Sequence, residues 1–265
     1  MAREANSSAA EARNASGDSL RGFLHDANED VLVSVLANPN LTETDLCILL
    51  ERLDLSGKIL GAIAAHSSWK KNEGVRFRLA RHPHTPRRIA MQLLRDLFLF
   101  DLVQLALSPS TPAEIRRAAE EVILRRLPHL PIGQKLTLAR RGSARIAGGV
   151  LAEGHVQAAT LALNNPFLNE AQILRVLSRP HVSERVVRSI AHHPNWSCKY
   201  NVRLALIRHP AAPLAAVLRF LPDVTMRDLR ELTSATSMPD TMRNYLKKEI
   251  VRRSGKGAEE KASSR

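Results

Sequence analysis

Arginine is the side chain this sequence most often places where it could do chemistry. Thirty of the 39 Lys+Arg residues are arginine, many in adjacent pairs: Arg87-Arg88, Arg116-Arg117, Arg125-Arg126, Arg140-Arg141 with Arg145 close behind, and Arg252-Arg253, joined by Lys247-Lys248. A guanidinium presents parallel N–H groups to a carboxylate or phosphate, so such pairs could grip an anionic partner. Ten histidines are present, but His82, His84, His192, His193 and His209 lack the helical two-His spacing with Glu, or the Cys pair, that a metal site requires. No metal or cofactor is expected. Nor is there a Gly-Xaa-Ser-Xaa-Gly elbow, a Cys with an activating His at meaningful spacing, or a glycine loop ending in Lys-Ser/Thr. Gly142-Ser143 and Gly148-Gly149 read as points of close helix packing. No catalytic residue is nominated, and an enzymatic reading would have to turn to acids such as Glu43 or Asp96.

The 265 residues carry a formal net charge of +13 with 44% hydrophobic and 25% charged side chains, the balance of a globular chain that is unusually basic. Cys47 and Cys198 stand far apart, so no disulfide framework is expected and a reducing, cytoplasmic setting follows. No run approaches the ~20 apolar residues of a membrane span, because Asp96 and Asp101 interrupt even the stretch around Leu97–Phe100. Residues 1–19 and 254–265 have too little apolar content to offset chain entropy and are expected to be disordered tails. Their charges nearly cancel, leaving the basic excess on the body, residues 20–253.

The elements that must position the arginines repeat themselves. A shift of 127 residues lays Leu36, Asn38, Pro39, Leu41 and Glu43 on Leu163, Asn165, Pro166, Leu168 and Glu170, and Ile63, Ala64, His66 and Trp69 on Ile190, Ala191, His193 and Trp196. Further along, Val75, Arg76, Leu79, Arg81, His82, Pro83 and Pro86 fall on Val202, Arg203, Leu206, Arg208, His209, Pro210 and Pro213. Close to a third of the positions are identical without a gap, which marks a tandem duplication with copies at 31–126 and 158–253 and connecting helices at 127–157. Each copy alternates helical apolar spacing, as in Ile115, Ala118, Ala119, Val122 and Ile123, with short proline turns. In Arg81–Pro86 the turn ends one helix and offers Thr85 as the N-cap of the next; Thr111 and Glu114 stand at capping-box spacing. Helices this short bury a face only by stacking, so the expected fold is all-α: a single right-handed α-solenoid of antiparallel helix pairs over 20–253.

The run Val75-Arg76-Phe77-Arg78-Leu79-Ala80-Arg81-His82-Pro83-His84-Thr85-Pro86 resembles the repeat of the leucine-rich repeat variant family, and the helix-pair layout is similar to HEAT-like solenoids. That resemblance implies repeat architecture and no activity. The family member type that holds an iron–sulfur cluster on clustered cysteines has no counterpart in Cys47 and Cys198. HEAT-type solenoids also include DNA-repair glycosylases with a basic concave face, whose catalytic residues find no matching motif here.

Two readings of the retained arginines stay open. Arg76, Arg81, Arg203 and Arg208 could brace their turns against Asp96, Asp101, Asp223 and Asp228, since a buried charge requires a partner. Alternatively, with Arg87, Arg88, Arg140, Arg141 and Arg145, they could form a binding row for an anionic ligand. Trp69 and Trp196 read as fillers between helix pairs, with base stacking the alternative. His82 and His209 sit at helix C-termini, where the dipole favours a charged imidazole. The expected function is a non-enzymatic scaffold that binds a macromolecule, foremost a protein, on an extended helical surface; nucleic acid is the alternative, and a HEAT-type DNA-repair enzyme ranks behind both.

Overall fold

In the computed structural model the described residues are 2–69, 71–179, 181–234 and 240–263, with side chains described from Ser7 to Ser254. They form an all-α fold with no strand among them. Two compact units divide the chain, Met1–Arg126 and Leu127–Arg265.

The first unit contains α1 (Ala2–Asn14), α2 (Gly17–Phe23), α3 (Glu29–Leu36), α4 (Glu43–Leu49), α5 (Gly57–Ala65), α6 (Glu73–Arg81), α7 (Arg87–Leu93), α8 (Leu99–Leu107) and α9 (Ala113–Arg126). The second contains α10 (Ile132–Arg141), α11 (Ala144–Glu153), α12 (Val156–Leu163), α13 (Glu170–Leu177), α14 (Glu184–His192), α15 (Pro194–Ser197), α16 (Tyr200–Arg208), α17 (Leu214–Phe220), α18 (Met226–Ser234) and α19 (Asp240–Ser263). Local chemistry sets many of the starts. Asn28, Thr42, Ser56 and Asn72 in the first unit, and Ser143, Asn169 and Ser183 in the second, each accept a backbone N–H of the first helical turn. Thr42 and Asp45 complete a capping box. Gly154, at φ +84°, ends α11 in the left-handed conformation that glycine adopts at least cost. Helices pack on their next-but-one neighbours within each unit: α1 on α3, α3 on α5, α4 on α6; then α10 on α12, α11 on α13, α12 on α14. Leu46, Ile59, Leu60 and Ile63 in the first unit, and Ile146, Val187, Ile190 and Leu206 in the second, are fully buried between them.

The 127-residue offset governs the helices as well as the residues. It separates the first residues of α2 and α11, α3 and α12, α4 and α13, α5 and α14, α6 and α16, α7 and α17, α8 and α18, and α9 and α19. The duplication therefore begins earlier than the expected copy start at residue 31. Residues 127–157, expected to connect two copies, contain α10 and α11, the counterparts of α1 and α2.

Residues 1–19, expected to be disordered, instead contain α1, which packs on α3 with Ala12 fully buried. The physical reason lies in one buried side chain. Asn38 donates through Nδ2 to the carbonyls of Ala12 (2.8 Å) and Ala15 (2.9 Å), and its Oδ1 accepts Asn40 N–H (2.8 Å). Asn165, 127 residues on, donates to Ala139 (2.8 Å) and Gly142 (3.0 Å) and accepts Phe167 N–H (2.7 Å). Both asparagines satisfy the C-terminal carbonyls of the first helix in their unit, groups the helix cannot pair itself. At the other end, helix α19 runs through the 254–265 segment to Ser263, although the side chains beyond Ser254 lie outside the described residues.

Two expected caps are placed differently. Pro86 itself occupies the N-cap of α7, while Thr85 is buried and donates back to Leu79 O (2.6 Å), closing the end of α6. Thr111 is also buried, and its Oγ1 has no partner. Around the glycines, Ser143 caps α11, a side chain at Gly142 would strike Leu138 O at 2.5 Å, and one at Gly148 would press on Gln172 of α13 at 3.2 Å.

Deleting residues 1–19 strips α3 of its cover and Asn38 of its acceptors. The expected result is a thermal midpoint lower by roughly 5 °C or more, with Asn38→Ala and Asn165→Ala each destabilising by about 1–3 kcal/mol. Thermal unfolding by circular dichroism checks this; an unchanged midpoint in the deletion would remove α1 from the folded unit.

Candidate binding groove

Helices α6 and α16 carry the Val-Arg-Xaa-Xaa-Leu-Xaa-Arg-His-Pro segment in each unit. Val75, Leu79 and Ala80, or Val202, Leu206 and Ile207, are buried, which turns the arginines and residues 77–78 or 204–205 toward the edge of the core. A groove opens beside this helix at the same place in both units. In the first it has a volume of about 690 Å³, between Leu50, Glu51 and Leu53 after α4 and Phe77, Arg78 and Arg81 of α6, floored by His82-Pro83 and closed by Gln104 and Ser110. In the second it has about 590 Å³, between Leu177, Ser178 and Arg179 and Leu204, Ala205 and Arg208, with His209-Pro210.

The nine arginines singled out from the sequence disperse. Arg203 braces as expected: it meets Asp223 at 2.7 Å, donates to Ser197 O (2.7 Å) and lies over the Phe220 ring at 5.7 Å. Its counterpart Arg76 reaches the backbone carbonyl of Asp96 (3.3 Å) instead of the carboxylate, and its buried Nε has no partner. Arg208 pairs with Glu231 (2.8 Å), not Asp228; that aspartate accepts from Tyr200 and Thr225. Position 104, the counterpart of 231, is Gln, so Arg81 finds no carboxylate and donates only to Ser110 (3.1 Å). Arg81 and Arg208 thus line the two grooves at equivalent places. Arg87 pairs with Glu114 (3.1 Å) on the surface, Arg88, Arg140 and Arg141 are exposed, and Arg145 is half-buried. Two members of the basic pairs serve the fold: Arg126 donates to Leu97 O (2.9 Å) and Arg95 O (2.7 Å), and Arg253 to Val224 O (2.6 Å) and Leu221 O.

The groove residues Leu50, Leu53, Phe77, Arg78, Gln104 and Arg179 were not singled out from sequence. The signal that reaches Phe77, Arg78 and Gln104 is the difference between copies, since they and Glu51 become Leu204, Ala205, Glu231 and Ser178, whereas Leu50 and Arg179 match Leu177 and Arg52 and carry no such signal.

The groove floor is a neutral histidine, contrary to the expectation of a dipole-favoured charged one. His82 Nε2 donates to Arg52 O (2.7 Å) while Nδ1 accepts His84 N–H (3.2 Å), a pair of bonds that the neutral ring makes and the doubly protonated ring cannot. Burial pushes the pKa of His82 down, as it does for His209 and His193, which accept Ala211 N–H (3.2 Å) and Asn195 N–H (3.3 Å) in the same way. Burial likewise raises the Cys47 thiol pKa, opposed by Arg78; both cysteines are free. Trp69 packs against the first unit's core, and Trp196 donates to Leu163 O (2.8 Å). Among the described residues no three His, Cys, Asp or Glu side chains are grouped to hold a metal, and no helix is long and apolar enough to cross a membrane.

Because the folded state binds fewer protons at these histidines than the unfolded chain does, their contribution to stability is full above the ordinary pKa of 6.5 and is lost as pH falls through their lowered values. Stability measured by denaturant unfolding is expected to fall as the pH is lowered below 6.5. His82→Asn keeps an acceptor and a donor without a titrating group, so it should retain neutral-pH stability and shrink the acid loss; an unaltered pH slope would absolve His82.

No protein-family model, curated protein or solved structure matches this chain.

Proposed function

We propose that the protein is a non-enzymatic scaffold of the α-solenoid kind, similar to HEAT-like repeats, whose first-unit groove takes a protein segment bearing bulky apolar side chains beside a carboxylate. The next-but-one helix packing supports the solenoid reading. The observation that carries the function is the recurrence of one groove at equivalent positions in both units, combined in the first with apolar walls and unspent cations. Leu53 is 68% exposed at the groove, and Arg78 and Arg81 form no ion pair. On α8, which supplies Gln104, Phe100 and Leu107 share the helical face of that residue and are exposed. Apolar side chains and arginines around a concave surface match the composition of protein recognition sites. Glu51 at the same groove disfavours a uniformly anionic ligand and selects for mixed apolar and acidic character.

The test is selection of random displayed peptides on the purified full chain. Enriched peptides should pair Leu or Phe with Asp or Glu. Arg81→Glu should weaken them at least tenfold, the effect of losing one charge-assisted contact and adding repulsion. Enrichment of peptides indifferent to both Arg81→Glu and Phe77→Ala, or no enrichment, would overturn the proposal.

A further inference from the structure

The unit boundary divides the charge unequally. Residues 1–126 contain 17 Lys+Arg and 16 Asp+Glu, while residues 127–265 contain 22 and 10, so the second unit holds +12 of the net +13. Two copies of one helix arrangement have thus acquired different electrostatics, and comparison of equivalent positions locates the change beside the second groove.

In the first unit Arg52 is tied down, paired with Asp54 (2.7 Å) and donating to Leu24 O (2.6 Å) and Asp26 O (2.8 Å). Its counterpart Arg179 has His181 where Asp54 would stand, and it is exposed, unpaired and lines the second groove. Glu51 is replaced there by Ser178, and Ile48 by the exposed Arg175, one helical turn before Arg179. On α18, which the Arg208–Glu231 pair joins to the groove helix α16, the positions of Phe100 and Val103 of α8 are taken by Arg227 and Arg230, both exposed and without an ion pair. The Arg208–Glu231 pair ties α16 to α18, and Asp228 lies within the electrostatic reach of both Arg208 and Arg227. The acids facing this cluster are engaged: Glu231 with Arg208, Asp228 with Thr225 and Tyr200, and Glu170 with Asn201 (2.8 Å). The Arg208–Glu231 pair is half-exposed, of a kind worth little in water, so Arg208 can exchange it for a stronger anion.

From this arrangement we infer that the second unit is a nucleic-acid-binding surface, in which Arg175, Arg179, Arg208, Arg227 and Arg230 hold successive phosphates of a phosphodiester backbone. A short acidic peptide would need only the groove. Unpaired cations also stand on other helices of this unit, with Arg140 and Arg141 on α10 and Arg185 on α14, and a regular polyanion is the ligand whose charge spacing and counterion release use so dispersed a set. The inference stands apart from the peptide groove of the first unit, because it rests on different residues.

The test uses the full chain with labelled duplex DNA and single-stranded RNA of about 20 units over a salt series. Neutralising five phosphates of duplex predicts a slope of log affinity against log salt near −4.5. The double variant Arg179→Gln/Arg230→Gln should flatten the slope to about −2.7 and lower affinity at least tenfold near 0.15 M salt, whereas Arg13→Gln/Lys58→Gln in the first unit should change neither. Thermal unfolding of each variant confirms the fold. The inference is overturned by absence of binding at about 50 mM salt, by a slope that the Arg179/Arg230 variant leaves unchanged, or by poly-glutamate competing as well as nucleic acid at equal charge. Loss of peptide selection with retained DNA binding would sink the first-unit groove alone.

Discussion

Both units depend on one recurring interaction at the ends of their helices. The residue before proline cannot continue a helix and is driven into the extended region, and the proline that follows brings no N–H of its own. That leaves the carbonyls of a neighbouring helix end and the N–H beyond the proline in need of partners. A single side chain serves both when it carries an acceptor and a donor on opposite edges. Asn38 and Asn165 do so with an amide, and His82 with a neutral imidazole, whose outer nitrogen reaches the carbonyl of Arg52 in the preceding helix pair. The same demand explains why His82 must stay unprotonated: a second ring proton would face the His84 N–H donor. Because these contacts span some 26–30 residues, they set the register of one helix pair on the next, which generic apolar packing leaves free to slide.

A duplicated fold held by such turns can change its surfaces independently. The buried faces of α6 and α16 keep Val and Leu, and the turns keep His-Pro, yet the exposed Phe100, Gln104 and Leu107 of α8 and the buried Val103 beside them stand where α18 has the exposed Arg227, Glu231, Ser234 and Arg230. These positions recur at i, i+3, i+4 and i+7, one face of a helix. One unit is therefore nearly neutral with apolar side chains on this helix face, and the other strongly basic with arginines on the equivalent face.

The all-α class and the duplication were legible because the signals that carry them are local: proline turns, N-cap residues and a fixed offset between like residues. The extent of the copies was not. Ala12, Arg13, Ser16, Gly22 and Leu24 recur as Ala139, Arg140, Ser143, Gly149 and Leu151, too sparse a set to stand out among small residues, so α1 and α2 looked like a tail and α10 and α11 like a connection. What fixes α1 is a pair of backbone carbonyls accepting from Asn38, and backbone groups leave no mark on a sequence. The caps at Thr85 and Thr111 differ from expectation for a related reason: spacing says that a hydroxyl can cap, but only the closed turn shows Thr85 facing the helix it follows.

The arginines show where identity between copies stops being informative. Arg81 and Arg208 are the same residue at the same place in the repeat, but Glu231 neutralises one while Gln104 leaves the other to Ser110. Arg52 and Arg179 reverse the pattern, the first held by Asp54 and two carbonyls, the second free beside His181. In each case the retained side chain is a constant and the partner decides its state, because whether a guanidinium is held or free depends on the acids and carbonyls around it. The charge available to a ligand is thus set at positions 104 and 231, and 54 and 181, which carry no arginine at all. The residues retained between the halves build the framework; those that differ make the surfaces that it presents.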